Sequence, residues 1–535
     1  MRTPLEVLQL YPDHSGSLRS ILDSRAGVDP ARDFMDFQGR HWSYAQMQQE
    51  VERATALLWR RRIRPGDRVG VMSANHPSAL FIFFALARLG AIMVPVNPEY
   101  GETEVHYLFD HAQVSGIVCS PEVLPTVRRA TDRMSNSPWL LLNDGTQPGV
   151  ASYSEEAGME MLGALDAPVT VDDPDAVCLF VYTSGTTGFP KAVMHSQRNV
   201  VTAGEGFVER MHLQPEDRLL CILPMFHINA ICYSMAGTLA AGAALILEPR
   251  FSASNFWQLV KRSGATEVNT IAAASSILMR RPRSEFVGGH RLQKIYGAPF
   301  DATSYEVFQK EFGVPTLIEG YGMSEVPGAL NNPFEGPHKV GSMGRPSRHP
   351  NPAFALAQLR IDDDEGRPVP DGTVGELVVR TPIVMKGYFR DLQQTEAAFR
   401  DGWFLTGDLA WRDAEDYFWF VARKKDIIRK RGENISGAEL DRVLGQHPAV
   451  AEAAAIAVPS DLGEDEILAV LVLREGATLS AAQAAAWCAE HLAPIKVPRY
   501  VAFADSLPHT PTHRVAKHLL KQDGALLASA VDLQA

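Results

Sequence analysis

The chain reads as an α/β protein with more than one domain, and three observations predict it. At 535 residues it is longer than one ordinary hydrophobic core accommodates. Between about Trp42 and Pro98, apolar runs of strand length alternate with helical periodicity, the rhythm of parallel strands joined by helices. From residue 353 the pattern shifts to short strands broken by Gly and Asp turns, which predicts a small β-barrel-like part. A compact α/β section follows from Ser436.

The elements follow in order. Ser43 is an N-cap, and an amphipathic helix runs from it to about Arg62. Pro65 to Asp67 is a turn, Arg68 to Met72 a strand, Ser78 to Leu89 a helix closed by Gly90, and Ile92 to Val96 a strand. Ala176 to Val181 is an unbroken apolar run and reads as a buried strand. Ile228 to Leu247 is nearly free of charge and long enough to span a membrane. Gly237 and Gly242 punctuate it, so a buried helix followed by a strand at 243–247 fits better. Strands are expected at 353–361, 376–380 and 418–421. The end section should hold a helix at 438–444, strands at 451–458 and 467–473, and a helix at 480–491.

Composition narrows the function. A net charge of −12 argues against nucleic acid or an anionic membrane as the main partner. Five scattered cysteines without a Cys-x-x-Cys pair suit a reducing cytoplasm and give no zinc site. The N-terminus has no long apolar segment, which argues against a signal peptide and for a cytoplasmic location.

The stretch richest in chemistry is Tyr182 to Lys191. The hydroxyls of Thr183, Ser184, Thr186 and Thr187 surround Gly185, with Gly188 and Lys191 following. A strand opening into such a turn suits a polyphosphate: backbone N–H groups form an anion nest, and hydroxyls and an ammonium add donors. It is not a P-loop, because Lys191 comes three residues after Gly188 and precedes Ala192. Further on, Ile295 to Pro299 and Glu319 to Glu325 fall at strand ends followed by loops, where open α/β sheets bind ligands. Tyr321 offers a flat face for adenine, Gly297 and Gly322 permit close backbone approach, and Glu325 is a hard oxygen ligand suited to Mg²⁺ bound with phosphate.

The Tyr182–Lys191 string resembles the phosphate-loop signature of adenylate-forming enzymes: acyl-CoA synthetases, peptide-synthetase adenylation domains and luciferases. At least five motifs of that superfamily stand in order between about residues 20 and 520, with the acyl-CoA ligases nearest in pattern. The resemblance implies a domain of residues 1–421 with a small β-rich part at about 345–421, a hinge at 422–426, and a mobile α+β lid at 427–535. It also implies ATP, an acyl-adenylate intermediate, Mg²⁺ and CoA, with a carboxylic acid as substrate.

Residue by residue, the resemblance implies that Thr183, Ser184, Gly185, Thr186, Thr187 and Lys191 take the phosphates. Gly297, Ala298, Pro299, Glu319, Gly320, Tyr321, Gly322, Met323 and Ser324 bind the nucleotide, and Glu325 is the metal ligand. His227, Asn229, Tyr233, Gly297 and Met323 border the acid, with His227 also catalytic. Asp408 takes the ribose hydroxyls, assisted by Arg423; a carboxylate has lone pairs enough for a vicinal diol. Lys425 is the hinge, and Phe420, Arg429, Lys430 and Gly432 belong to the CoA-facing side of the basic run 423–431. A charge run of this kind is otherwise a solvated loop.

One motif departs from the pattern. Where the superfamily ends on Gly-Lys, this chain has His513 and Arg514, with Lys517 three residues on as another cation. Arg514 stands in for the usual catalytic lysine, and a planar guanidinium is not equivalent to a compact ammonium at a tight site. Two readings stay open: Arg514 serves, or adenylation is impaired or lost and a separate adenylating enzyme supplies the acyl-adenylate. Two alternative functions remain beside acyl-CoA ligation. An adenylating enzyme that loads a carrier protein is opposed by the basic 423–431 run. A non-catalytic acyl-nucleotide binder is opposed by retained His227, Glu325 and Asp408.

Overall fold

Two sheets with parallel centres build the first of two compact units, which takes in Met1–Leu359 and Val379–Phe404. The computed structural model describes residues 1–158, 171–183, 190–430, 433–459, 465–509 and 515–534. In one sheet of seven strands, Arg68–Met72 lies between Gly116–Cys119 and Ile92–Val96, all parallel, and Val177–Thr183 follows Ile92–Val96. Lys191–Ser196 closes that edge antiparallel, with Thr183 opposite Lys191. The other sheet has nine strands. Its parallel centre runs Ala244–Leu247, Arg218–Cys221, Glu267–Asn269, Lys294–Gly297 and Thr316–Met323. Val326–Asn331 then turns back antiparallel, with Met323 opposite Val326.

Local chemistry accounts for these boundaries. Ser43 caps helix Tyr44–Arg60 in a reciprocal capping box with Gln46. Helix Pro77–Arg88 starts at a proline, as that first position allows, and is buried through its whole apolar length. Residues 228–247 are a six-residue π-helical turn, Ala230–Met235, then helix Ala236–Ala241, then strand Ala244–Leu247 in the interior of the nine-stranded sheet. Gly242 supplies the left-handed φ of +67° that ends the helix. Among the described residues no helix is long and apolar enough to cross a membrane. Helix Gln197–Met211 is almost wholly buried and touches strands of both sheets.

The second unit takes in Arg360–Val378 and Leu405–Ala535. The β-rich stretch after residue 345 is therefore divided between the two units. Within the second unit, residues 408–412 pair antiparallel with Phe418–Arg423, placing Asp408 opposite Arg423. Ile427–Lys430 and Glu433–Ser436 form a hairpin. A four-stranded sheet runs in the order Val450–Pro459, Asp465–Leu473, Tyr500–Phe503, Val531–Asp532. Helix Gly437–Gly445 packs on its first strand and on helix Ala481–His491.

Candidate functional site

Lys191 begins the strand Lys191–Ser196; residues 184–189, including Ser184, Gly185, Thr186 and Thr187, lie outside the described residues. Its register is held on both sides. Thr183 pairs with it across the hairpin. The outer edge of Lys191–Ser196 pairs with residues 386–389 through Phe389 N–H to Ala192 O, Met194 N–H to Gly387 O and Lys386 N–H to Met194 O. This pairing brings Tyr388 beneath the lysine: Nζ of Lys191 lies 5.0 Å from the Tyr388 ring centroid. The Tyr388 hydroxyl donates to Oε1 of Glu325 at 3.0 Å. Burial first, and the Glu325 carboxylate second, push the Tyr388 phenol well above its ordinary range.

Glu325 owes its position to a tight turn. Strands Thr316–Met323 and Val326–Asn331 leave only Ser324 and Glu325 between them. The Glu325 carbonyl accepts from Met385 N–H at 2.8 Å, so backbone and side chain both anchor it to the 383–389 segment. His195 fixes the other turn residue: its Nε2 donates to the Ser324 carbonyl at 2.6 Å, and its Nδ1 lies 3.3 Å from Nδ2 of Asn199. Asn199 Nδ2 also donates to the carbonyl of Val384 at 2.8 Å. Complete burial holds the His195 imidazole down to about 4, so it is neutral near pH 7. A neutral ring donating at one nitrogen and accepting at the other ties strand Lys191–Ser196 to the Ser324–Glu325 turn. Neither His195 nor Tyr388 stands out in the sequence.

The Glu319 carboxyl is 1% exposed and faces the fold. It accepts from Phe300 N–H at 2.9 Å and from the Tyr305 hydroxyl at 3.3 Å. Burial raises it to about 7. Its bonds hold the Ala298–Pro299 turn against the strand rather than presenting a charge. Gly297 is also tightly enclosed: a Cβ there would stand 2.9 Å from the Phe300 ring and from Thr270 Cγ2. Gly322 is exposed on one side, and on the other a Cβ would stand 2.7 Å from the Tyr233 hydroxyl. Met323 and Tyr321 are half-buried beside it, and Tyr296 underlies Gly320.

Of the residues expected to border an acid, Tyr233 comes from the π-helical turn and is buried. His227 and Asn229 precede that turn and are half-buried. The His227 ring packs on Phe226, and Oδ1 of Asn229 is buried with no hydrogen-bond partner among the described residues. Behind Tyr233 lies Arg210, which sequence reasoning passed over. It is 3% exposed, with its guanidinium 5.1 and 5.2 Å from the Tyr233 and Tyr296 ring centroids. Its position three residues after buried Phe207 on one helix face was the available signal. Nη2 donates to the Gly328 carbonyl at 3.2 Å.

In the second unit, Arg423 Nε lies 2.6 Å from Oδ1 of fully buried Asp408. Lys424 pairs with Asp364 at 2.9 Å and Glu376 at 3.1 Å. Lys425 falls in the short 3₁₀ turn Lys424–Asp426. Phe420 and Arg429 are exposed, whereas Lys430 is buried, its Nζ 2.9 Å from Glu466. Lys430 thus faces the unit's interior, away from the solvent a CoA phosphate would come from. Gly432, His513 and Arg514 lie outside the described residues. Lys517 is held by Asp441 at 2.6 Å and by the Ala455 carbonyl at 3.0 Å, which commits its ammonium to the fold.

Among the described residues no group of three or more His, Cys, Asp or Glu is placed to hold a metal ion. Glu325 would act as a lone protein carboxylate, a donor set that fits Mg²⁺ whose remaining ligands are phosphate oxygens and water.

A family model of AMP-binding enzymes matches residues 22–389, and that of the AMP-binding enzyme C-terminal domain matches residues 439–514. A sulfoacetate–CoA ligase from Cupriavidus necator is 33% identical over 461 residues, covering 84% of this chain and 86% of the relative. An indoleacetate–CoA ligase from Aromatoleum aromaticum is 32% identical over 506 residues, covering 94% of this chain and 97% of the relative. The crystal structure of ATP-bound MatB from Rhodopseudomonas palustris superposes with a TM-score of 0.81 at 27% identity, covering 97% of this chain and 99% of that one. The chain belongs to the AMP-binding enzyme family, the adenylate-forming superfamily that includes the acyl-CoA ligases.

Proposed function

We propose that this protein is an acyl-CoA ligase that joins a carboxylic acid to CoA by way of an acyl-adenylate. The observation that carries the reading is the convergence of Lys191, Tyr388 and Glu325 at one place, beside the open flank of Gly322. An ammonium with no carboxylate partner among the described residues stands there with a carboxylate able to share a phosphate-bound cation. That is the charge arrangement ATP requires as its α-phosphorus is attacked. Relatives that ligate acids as different as sulfoacetate and indoleacetate support the CoA chemistry and leave the acid open.

In this reading Thr183 and the 184–191 turn hold the phosphates, Tyr321 the adenine, and Asp408 with Arg423 the ribose. Glu325 would hold Mg²⁺, which supplies charge neutralisation to the leaving pyrophosphate. His227, Asn229 and Tyr233 border the acid. Residues 422–426 are the hinge, at Lys425, between residues 1–421 and 427–535. Rotation there exchanges the face bearing Arg514 for the one bearing Arg429 and Gly432, so that CoA approaches between that face and Phe420 of the first part. Arg514 favours a second reading, in which the adenylate is made elsewhere and this chain performs only the thioester step. Lys517 does not fill the gap, since Asp441 holds it.

Two assays on one preparation test the proposal. One arm supplies acid, ATP, Mg²⁺ and CoA; the other supplies synthetic acyl-adenylate and CoA. Acyl-CoA from both arms is the expected result. Product from the second arm alone selects the thioester-only reading. Acyl-CoA from neither, with adenylate bound or passed to a carrier protein, overturns the ligase assignment.

A further inference from the structure

We propose that Tyr388 is a positioning residue that serves two parts of the nucleotide site separately: its hydroxyl orients the Glu325 carboxylate and its ring sets the resting place of the Lys191 ammonium. The inference deepens the ligase reading and rests on it.

Three observations carry it. The hydroxyl of Tyr388 donates to Oε1 of Glu325 at 3.0 Å, leaving Oε2 for another ligand. Lys191 Nζ stands 5.0 Å from the same ring's centroid, within range of a cation–π contact. The tyrosine is itself over-determined: its backbone bridges Val193, its N–H donates to Thr395 Oγ1 at 2.9 Å, and residues on both sides of it bond to strand Lys191–Ser196. A side chain fixed this firmly transmits its geometry to what it touches. A carboxylate that ligates a metal is generally aimed by a hydrogen bond at its other oxygen, and losing that bond typically costs about 10- to 100-fold in metal affinity. A cation resting on a ring face keeps its full charge for an arriving anion.

The two roles separate by substitution. Tyr388→Phe removes the hydroxyl and keeps the ring; Tyr388→Leu removes both. ATP is titrated calorimetrically into the full-length wild type and each variant, once with Mg²⁺ and once with EDTA. Acid is left out so that no turnover occurs, and thermal melts check the fold. Wild type should bind more tightly with Mg²⁺ than without. Tyr388→Phe should lose about 10- to 100-fold of that tightening and bind as wild type in EDTA. Tyr388→Leu should lose affinity in both conditions. Adding Tyr388→Phe to Glu325→Gln should change the tightening no further, since the hydroxyl acts through that carboxylate. Wild-type tightening in Tyr388→Phe overturns the inference, as does an equal loss with and without Mg²⁺ or an additive double variant. A wild type that binds no ATP overturns the ligase reading along with it, a result distinct from the others.

Discussion

At the first unit's candidate site, Lys191 rests on an aromatic ring and has no carboxylate partner among the described residues. In the second unit, Lys430 and Lys517 are largely buried and each rests on a carboxylate. A receiving cation and a structural one are held in these two different ways. A ring holds a cation by about 0.5–2 kcal/mol without neutralising it, so an incoming phosphate finds the charge intact. A buried ion pair is already neutral, and its cation cannot leave without exposing a carboxylate to a low-dielectric interior.

The largest effect should come from breaking the second kind of contact. Lys430→Met strands the Glu466 carboxylate, which is 7% exposed, and should destabilise the protein by about 3–5 kcal/mol in denaturant unfolding. An unchanged midpoint would erase the distinction drawn between the two units.

A somewhat smaller effect is expected at His195. His195 also has no carboxylate partner among the described residues; it has a carbonyl and an amide, and burial keeps it neutral down to about pH 4, against an ordinary value of 6.5. Between those values the unfolded chain binds the extra proton. The histidine's contribution is therefore complete above pH 6.5 and is lost as pH falls through 4, a span of about 3 kcal/mol. Melting wild type and His195→Gln at pH 4.5 and 7 should show a steeper acid loss in wild type. Equal slopes would mean the imidazole is not held neutral.

Sequence reasoning reached some of this and missed the rest for physical reasons. Local signals carried far: the Ser43 cap, the Gly242 stop and the strand before the phosphate turn all stand where their chemistry puts them. The π-helical turn at Ala230–Met235 was invisible, because small apolar residues do not distinguish a π from an α repeat. Tyr388 and His195 were invisible for another reason. Their partners lie 63 and 129 residues away, and only the pairing of distant strands brings them together. Within the basic run, Ile427–Lys430 is a strand, so alternation turns Arg429 outward and Lys430 inward. That outcome was legible in principle, from period two.

Titration of ATP with Mg²⁺ into wild type, Lys191→Met and Lys430→Met, at a temperature where all three are folded, tests directly whether Lys191 receives phosphate while the buried paired cations hold the fold. A charge-assisted hydrogen bond contributes about 1.5–3 kcal/mol, so Lys191→Met should bind about 10- to 150-fold more weakly. Lys430→Met should bind as wild type does. Wild-type affinity in Lys191→Met would contradict the claim.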